Sequence, residues 1–220
     1  MTTTQPEGSV ILVDKPLEWT SFDVVNKLRY ALKVKKIGHA GTLDPLATGL
    51  LILCSGKMTK QIETFQAQEK EYTGKMILGK TTPSYDLETE INSETDISHL
   101  QEQEIMEATS QFTGIISQVP PAFSAIKVKG KRAYESARKG EEIKLNPREV
   151  EVPVFEITAI DLPEVSFRVV CSKGTYIRSL VRDFGEALGV GAYMSELRRT
   201  RIGDFKVEEA KTIEELTQKT

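Results

Sequence analysis

Cysteine is scarce in this chain, with two in 220 residues. Cys54 and Cys171 each lie in an apolar, strand-like run and share no CxxC spacing. Neither a disulfide framework nor a thiolate metal site is indicated, and two buried thiols in a reducing cytosol are the simplest reading. Histidine is equally scarce: His39 and His99 stand in no ligand spacing with cysteine or acidic residues, and no EF-hand spacing occurs, so no metal is expected. No apolar run approaches the ~20 residues of a membrane span. The start, MTTTQPEGS, lacks the basic and apolar regions of a signal peptide, and a cytoplasmic protein is expected. Gly56-Lys57-Met58-Thr59 has the look of the end of a phosphate-binding loop, but the preceding glycine, Gly49, lies too far back and no strand leads into it correctly. A nucleotide site is therefore excluded.

What is present is an ordinary soluble composition, 39% hydrophobic and 28% charged, long enough for one large domain or one with a small appendage. The net charge of −3 argues against nucleic acid until its distribution is considered. Eight acidic and no basic residues fall between Thr81 and Ile126, leaving 24 acidic against 29 basic residues elsewhere, a net of +5. The basic residues bunch at Lys33, Lys35 and Lys36, at Lys127, Lys129, Lys131 and Arg132, and at Arg198, Arg199 and Arg201. Such bunches are usually solvated faces; here they are also candidates for contact with an RNA backbone.

The hydrophobic pattern predicts a strand over 9–13, then a helix over 21–33 that starts at Thr20-Ser21 with Asp23 in its first turn and presents Phe22, Val25, Leu28 and Leu32 to the core. Trp19 reads as a core or edge anchor. Leu50–Cys54 is a buried strand, 57–66 a short helix, and 70–78 a strand containing Tyr72. Residues 81–100 read as a solvated excursion and 101–112 as a helix. Val119-Pro120-Pro121 is a stiff linker, and 133–139 a helix closed by Gly140. Strands are expected over 150–160, 165–171 and 192–197, with a helix over 175–188. Strands with inserted helices and no strict βαβ alternation indicate an α+β fold on a mixed or antiparallel sheet.

The organising stretch is Gly38 to Gly49, GHAGTLDPLATG. Its glycines mark places where the backbone needs positive φ or close approach. Pro45 fixes its own φ and pushes Asp44 out of the α region. One carboxylate on a rigid loop between two packed elements suits a catalytic group, while an ordinary surface turn is the plainer alternative. A glycosidase would want a second facing carboxylate, which the motifs do not supply.

This segment closely resembles the catalytic loop of the TruB-type tRNA pseudouridine synthases, in which the Asp is catalytic. DKPLEWTSFDVVNKLR at 14–29, KEYTGKMILG at 70–79, PPAFSAIKVKGKRAYESAR at 120–138 and GTYIRSLVRDFG at 174–185 resemble the same family in the same order. The resemblance implies an α+β pseudouridine-synthase fold, a curved mixed sheet with flanking helices and a central cleft. It implies a catalytic domain over 9–205 after a flexible 1–8, with 206–220 a short acidic tail and no PUA domain evident.

It further implies isomerisation of uridine to pseudouridine at position 55 in the T-loop of tRNA, by a monomer, with no cofactor. Asp44 would act as nucleophile or base, with ribose attack, uracil attack and a glycal route all open. Tyr72 would stack on the uracil, Arg178 pair with the catalytic carboxylate, Leu197 wall the base pocket, and His39 stand near the displaced base. Lys15-Pro16 would support the loop. Lys127, Lys129, Lys131, Arg132, Arg198 and Arg199 are the candidate RNA-backbone contacts. The competing class is a non-catalytic tRNA-binding or folding protein on the same scaffold. Intact Asp44, Tyr72 and Arg178 argue against it.

Overall fold

The computed structural model describes residues 8–218 other than 125, 129–130, 135–138 and 140–144. In chain order the first elements are β1 (Val10–Lys15), α1 (Ser21–Ala31), β2 (Ile37–His39), β3 (Ala47–Ser55), α2 (Ile62–Ala67) and β4 (Lys70–Leu78). Then come β5 (Lys80–Thr81), β6 (Ser93–Glu94), α3 (Glu102–Ala108), β7 (Gly114–Gln118), β8 (Lys127–Val128), β9 (Lys131–Arg132) and β10 (Arg148–Val152). The last are β11 (Val154–Asp161), β12 (Glu164–Cys171), α4 (Ile177–Ala187), β13 (Ala192–Ile202), β14 (Phe205–Lys206) and α5 (Ile213–Thr217). The chain divides into two compact units, Met1–Thr73 with Leu197–Thr220, and Gly74–Glu196.

The first unit is built on β3. β1 pairs antiparallel with it from Val10↔Cys54 to Lys15↔Gly49. β2 pairs antiparallel at Ile37↔Ser55 to His39↔Leu53, and the end of β13 pairs parallel at Leu197↔Ala47 to Arg199↔Gly49. The sheet is therefore mixed, as the α+β reading expects. β3 reads as an unbroken apolar run because both of its faces are buried. Leu51 and Leu53 join Val13, Val24, Val25, Leu28, Ile37 and Ile213 on one face. Leu50, Ile52 and Cys54 join Ala40, Ile202 and Val207 on the other. Cys54 and Cys171 are both buried, and neither forms a disulfide.

α1 begins with a reciprocal cap in which Asp23 N donates to Thr20 Oγ1 (3.0 Å) and Thr20 N donates to Asp23 Oδ2 (2.9 Å). Its buried face is Ser21, Val24, Val25 and Leu28. The expected core positions Phe22 and Leu32 instead stand 62% and 38% exposed. The helix is rotated so that the Ser21 hydroxyl, rather than the Phe22 ring, faces inward, and Trp19 packs at the edge of the same cluster. The segment expected as one helix over 57–66 is a 3-10 turn, Gly56–Gln61, that runs into α2.

Residues 207–217 are docked. Asp14 N donates to Lys211 O (3.0 Å) and Lys211 N to Leu12 O (3.1 Å), covering the edge of β1, while Ile213 is 4% exposed in the α1 cluster.

In the second unit the order across the sheet is β13, β4, β12, β11. β11 and β12 form an antiparallel hairpin from Val154↔Val170 to Asp161↔Glu164. The single strand expected over 150–160 is two strands. Pro153 has no N–H for a ladder, and the chain changes partner there, β10 pairing with β7. Phe112, Phe155, Phe167 and Phe184 interlock edge to face, with ring centroids 5.3–6.5 Å apart, and seat α4 on the sheet. The excursion over 81–100 is not uniformly solvated, since Thr82, Ser84 and Asp86 are buried. The expected helix over 101–112 is α3 followed by a 3-10 turn, Thr109–Phe112. Most of the expected helix over 133–139 lies outside the described residues. No helix among the described residues is long and apolar enough to cross a membrane.

The docking of residues 207–217 makes a testable claim. Ile213→Ala should destabilise the folded chain by about 2–4 kcal/mol, as for a buried core residue, in urea or thermal melts. A loss below about 0.5 kcal/mol would mean that this segment is not part of the core.

Candidate active site

Between the end of β2 and the start of β3 the chain makes the loop that carries Asp44, and every stretch of its backbone is held. Ala40 N donates to Ile52 O (2.8 Å), continuing the pairing of β2 by one residue. Gly41 takes φ +96°, a left-handed value that suits glycine. The Ser21 hydroxyl accepts from Leu43 N (2.9 Å) and donates back to Leu43 O (3.2 Å). Pro45 O accepts from Glu18 N (2.9 Å) and from Lys15 Nζ (3.3 Å), and Ala47 N donates to Asp44 O (3.0 Å). Half-buried Asp44 therefore sits between two clamped peptides, at Leu43 and Pro45.

Two buried cations lie beneath this loop. Lys15 is fully buried, and its ammonium donates to Pro16 O (2.8 Å), Trp19 O (2.6 Å) and Pro45 O (3.3 Å). Burial lowers its pKa from 10.5 to about 8; the Asp44 carboxylate pulls it up and Arg199 presses it down. Arg199 is 1% exposed, with Nε donating to Leu50 O (2.7 Å), Nη1 to Thr42 O (3.4 Å) and Nη2 to Gly41 O (3.2 Å). The expectation that Arg199 contacts an RNA backbone is corrected by this geometry. Its guanidinium faces the protein's own carbonyls and has no surface to offer a phosphate. Burial and the nearby Arg199 charge lower the His39 pKa, against a smaller opposing effect of the Gly41 backbone, so the imidazole is neutral at pH 7.

Leu197 is 8% exposed and lies opposite Ala47, three residues beyond Asp44, in the parallel register of β13 and β3. Tyr72 is 8% exposed in the part of β4 that belongs to the same unit. Arg198 grips Asp14 with both terminal nitrogens (3.0 and 2.7 Å), and its side chain is 41% exposed. Lys127, Lys131 and Arg132 lie on the small β8–β9 hairpin, with Lys127 opposite Arg132, and Lys129 lies outside the described residues.

Arg178 belongs to the second unit, as the second residue of α4, and is 3% exposed. Its Nη1 donates to Ser84 O (3.3 Å) and Nη2 to Phe123 O (3.0 Å), while Nε lies 3.5 Å from Asp86 Oδ2. Asp86, Ser21 and the clamping role of Arg199 were not anticipated from the sequence. Asp86 was hidden in an acidic stretch, and its burial is signalled only by the alternation of Thr82, Ser84 and Asp86 in a segment otherwise polar. Among the described residues no group of three or more His, Cys, Asp or Glu is placed to hold a metal ion.

The lowered pKa of Lys15 fixes the sign of a pH effect. Between about pH 8 and 10.5 the unfolded chain holds this proton more tightly than the folded one, so the contribution of Lys15 to stability rises with pH across that window. The stability difference between wild type and Lys15→Met, from urea melts, should grow in favour of wild type by on the order of 2 kcal/mol between pH 7.5 and 10. A difference independent of pH would show that the ammonium is not buried at a cost.

Comparison with known proteins gives the family. The model of the TruB family pseudouridylate synthase N-terminal domain matches residues 29–177, and that of the tRNA pseudouridylate synthase B C-terminal domain matches 178–220. A tRNA pseudouridine synthase B of Flavobacterium johnsoniae is 57% identical over 211 residues, covering 93% of this chain and 92% of that protein. One from Chloroherpeton thalassium is 53% identical over 219 residues, covering 97% and 91%. Among solved structures, a chain of an H/ACA ribonucleoprotein bound to a substrate RNA containing 2′-deoxyuridine is similar with a TM-score of 0.72 and 33% identity. That alignment covers 96% of this chain, which spans only about half, 53%, of the solved one. With relatives more than half identical along nearly their whole length, and the Asp44 loop inside the matched region, this chain belongs to the TruB family of pseudouridylate synthases.

Proposed function

We propose that this chain isomerises uridine to pseudouridine in tRNA, at position 55 of the T-loop, with Asp44 as its catalytic residue. The observation that carries this reading is the loop itself: one carboxylate, with the peptides before and after it tied to Ser21, Glu18 and Lys15. The names of the relatives, tRNA pseudouridine synthase B, support the substrate class.

The reaction suits a lone carboxylate. The N1–C1′ bond breaks, the uracil turns within the site, the C5–C1′ bond forms, and the proton lost from C5 is balanced by one gained at N1. Atoms and electrons balance internally, so neither a cofactor nor an energy source is required. Asp44 acts as nucleophile or base, and ribose attack, uracil attack and a glycal route differ only in the atom it meets. The attraction between Asp44 and the Lys15 ammonium is mutual, so the pairing also favours Asp44 as carboxylate.

Under this proposal the target uridine is flipped from its stack at a cost of a few kcal/mol. Tyr72 stacks on the uracil, Leu197 walls its pocket, neutral His39 braces the vacated stack, and Arg178 serves substrate binding. Lys127, Lys129, Lys131 and Arg132 contact the RNA backbone, with Arg198 sharing its guanidinium between Asp14 and a phosphate. The enzyme acts on tRNA in the cytoplasm, as a monomer.

Asp44→Asn is nearly isosteric and keeps the loop, but removes the charge and the reactive oxygen. Single-turnover pseudouridine formation should fall at least ~10³-fold while RNA affinity, by filter binding, changes only a few-fold. Near wild-type turnover by the variant would sink the mechanism; a wild type that binds tRNA without forming product would make it a binding protein. Replacing Lys127, Lys129 and Lys131 together should lower affinity, flatten its dependence on salt by about three counterions' worth, and leave the chemical step nearly unchanged. An affinity indifferent to both salt and these lysines would remove them from the interface.

A further inference from the structure

One edge of β3 has two partners and a gap. β13 covers residues 47–49 and β2 covers 53–55, and among the described residues no strand pairs with 50–52 on that side. Ile52 O is taken by Ala40 N as the loop leaves β2. Leu50 O is taken by the Nε of Arg199, the last residue of β13 in register with β3. The same guanidinium turns its two remaining nitrogens onto Thr42 O and Gly41 O, inside the loop. One buried side chain therefore ties the strand that follows Asp44 to the peptides that precede it. The contact depends on close backbone approach: Gly49, opposite Arg199, takes φ +100°, and a Cβ there would lie 2.3 Å from Arg199 O.

We propose that Arg199 is a positioning residue for Asp44, setting the geometry of the catalytic loop without touching RNA. The proposal rests on the function proposed above. Each of the three carbonyls is met by a different nitrogen of one planar fork, a spread of donors that a lysine's single nitrogen cannot reproduce. The buried charge is met by those three carbonyls, not by solvent. Displacing a catalytic group by about 1 Å costs on the order of 10²-fold in rate without a change in ground-state binding. Arg199 should therefore act on the chemical step alone.

The test compares wild type, Arg199→Met and Arg199→Lys in single-turnover pseudouridine formation and filter binding of the same tRNA over a salt series. Hydrogen–deuterium exchange of the peptide spanning 38–50 is followed in the free proteins. Arg199→Met should lose on the order of 10²-fold in rate, with affinity within about threefold of wild type and an unchanged salt slope. Arg199→Lys keeps the charge and should recover about tenfold of that loss. Exchange in the 38–50 peptide should rise in both variants while that of α1 stays as in wild type. Should Arg199→Met fail to fold, Arg199→Lys carries the same comparison, with a residual loss of about tenfold.

A variant rate within threefold of wild type would overturn the proposal. So would a loss that appears in affinity and removes one counterion from the salt slope, which would make Arg199 a phosphate contact. Full activity in the lysine variant would leave only its charge at work, overturning the clamp. If wild type forms no pseudouridine, the enzyme reading fails, whereas unchanged exchange at 38–50 would separately refute the positioning.

Discussion

Lys15 and Arg199 bring two positive charges into the interior beneath a single loop, and the rest of the first unit is arranged around that fact. An ammonium or guanidinium taken from water costs several kcal/mol unless its protons are all accepted. Here the acceptors are main-chain carbonyls: Pro16, Trp19 and Pro45 for Lys15, and Gly41, Thr42 and Leu50 for Arg199. Those carbonyls belong to the loop and its two flanks, so accommodating the charges and shaping the loop are one and the same set of bonds. The Lys15 pKa of about 8 measures what is left over, since burial still outweighs the help of Asp44. A carboxylate at position 44 lowers the cost of the Lys15 charge, and that charge favours a carboxylate there.

This arrangement needs a stiff base. β3 gives it one because its alternate residues are packed on both faces, Leu51 and Leu53 against α1 and α5, Leu50 and Ile52 against Ile202 and Val207. A strand covered on both sides and hydrogen-bonded on both edges has little freedom to shift its register, since a slip of one residue would exchange its two faces. α1 is held to the same base, and its buried face ends in a hydroxyl that grips Leu43. Packing thus reaches Asp44 through two routes, one through the strand after it and one through the helix before it.

Much of this was legible in the sequence. The loop's Asp-Pro, the apolar run of β3, the cap at Thr20 and the mixture of strands and helices all follow from local rules that act within a few residues. What escaped was decided by contacts between distant positions. Phe22 and Leu32 keep helical spacing with Val25 and Leu28, yet a serine faces inward, because a polar contact at Leu43 sets the helix's rotation and hydrophobic periodicity cannot report it. Asp86 sat in a stretch without a single basic residue, its cation Arg178 lying far along the chain. Pro153 lies inside the strand expected over 150–160, and its missing N–H marks a change of partner strand. Residue type alone groups Arg199 with Arg198 and Arg201. The strand's period of two carried the missing signal: it places Arg199 on the face of Leu197, the apolar face, and leaves Arg198 on the other.

The proposed reaction explains why rigidity is worth this many buried polar bonds. An isomerase that breaks a glycosidic bond and remakes it elsewhere on the same base has no second substrate to capture its intermediate. Both fragments must stay in place while the uracil turns, and the carboxylate must hold one position throughout. A loop free to drift would let water compete at C1′, and hydrolysis in place of isomerisation would leave an abasic site. Contacts to a phosphate backbone act far from the reacting atoms and position the RNA, not the carboxylate. The precision has to be built into the protein before RNA arrives, which is what bonds from Lys15, Ser21 and Arg199 to the loop's own backbone accomplish.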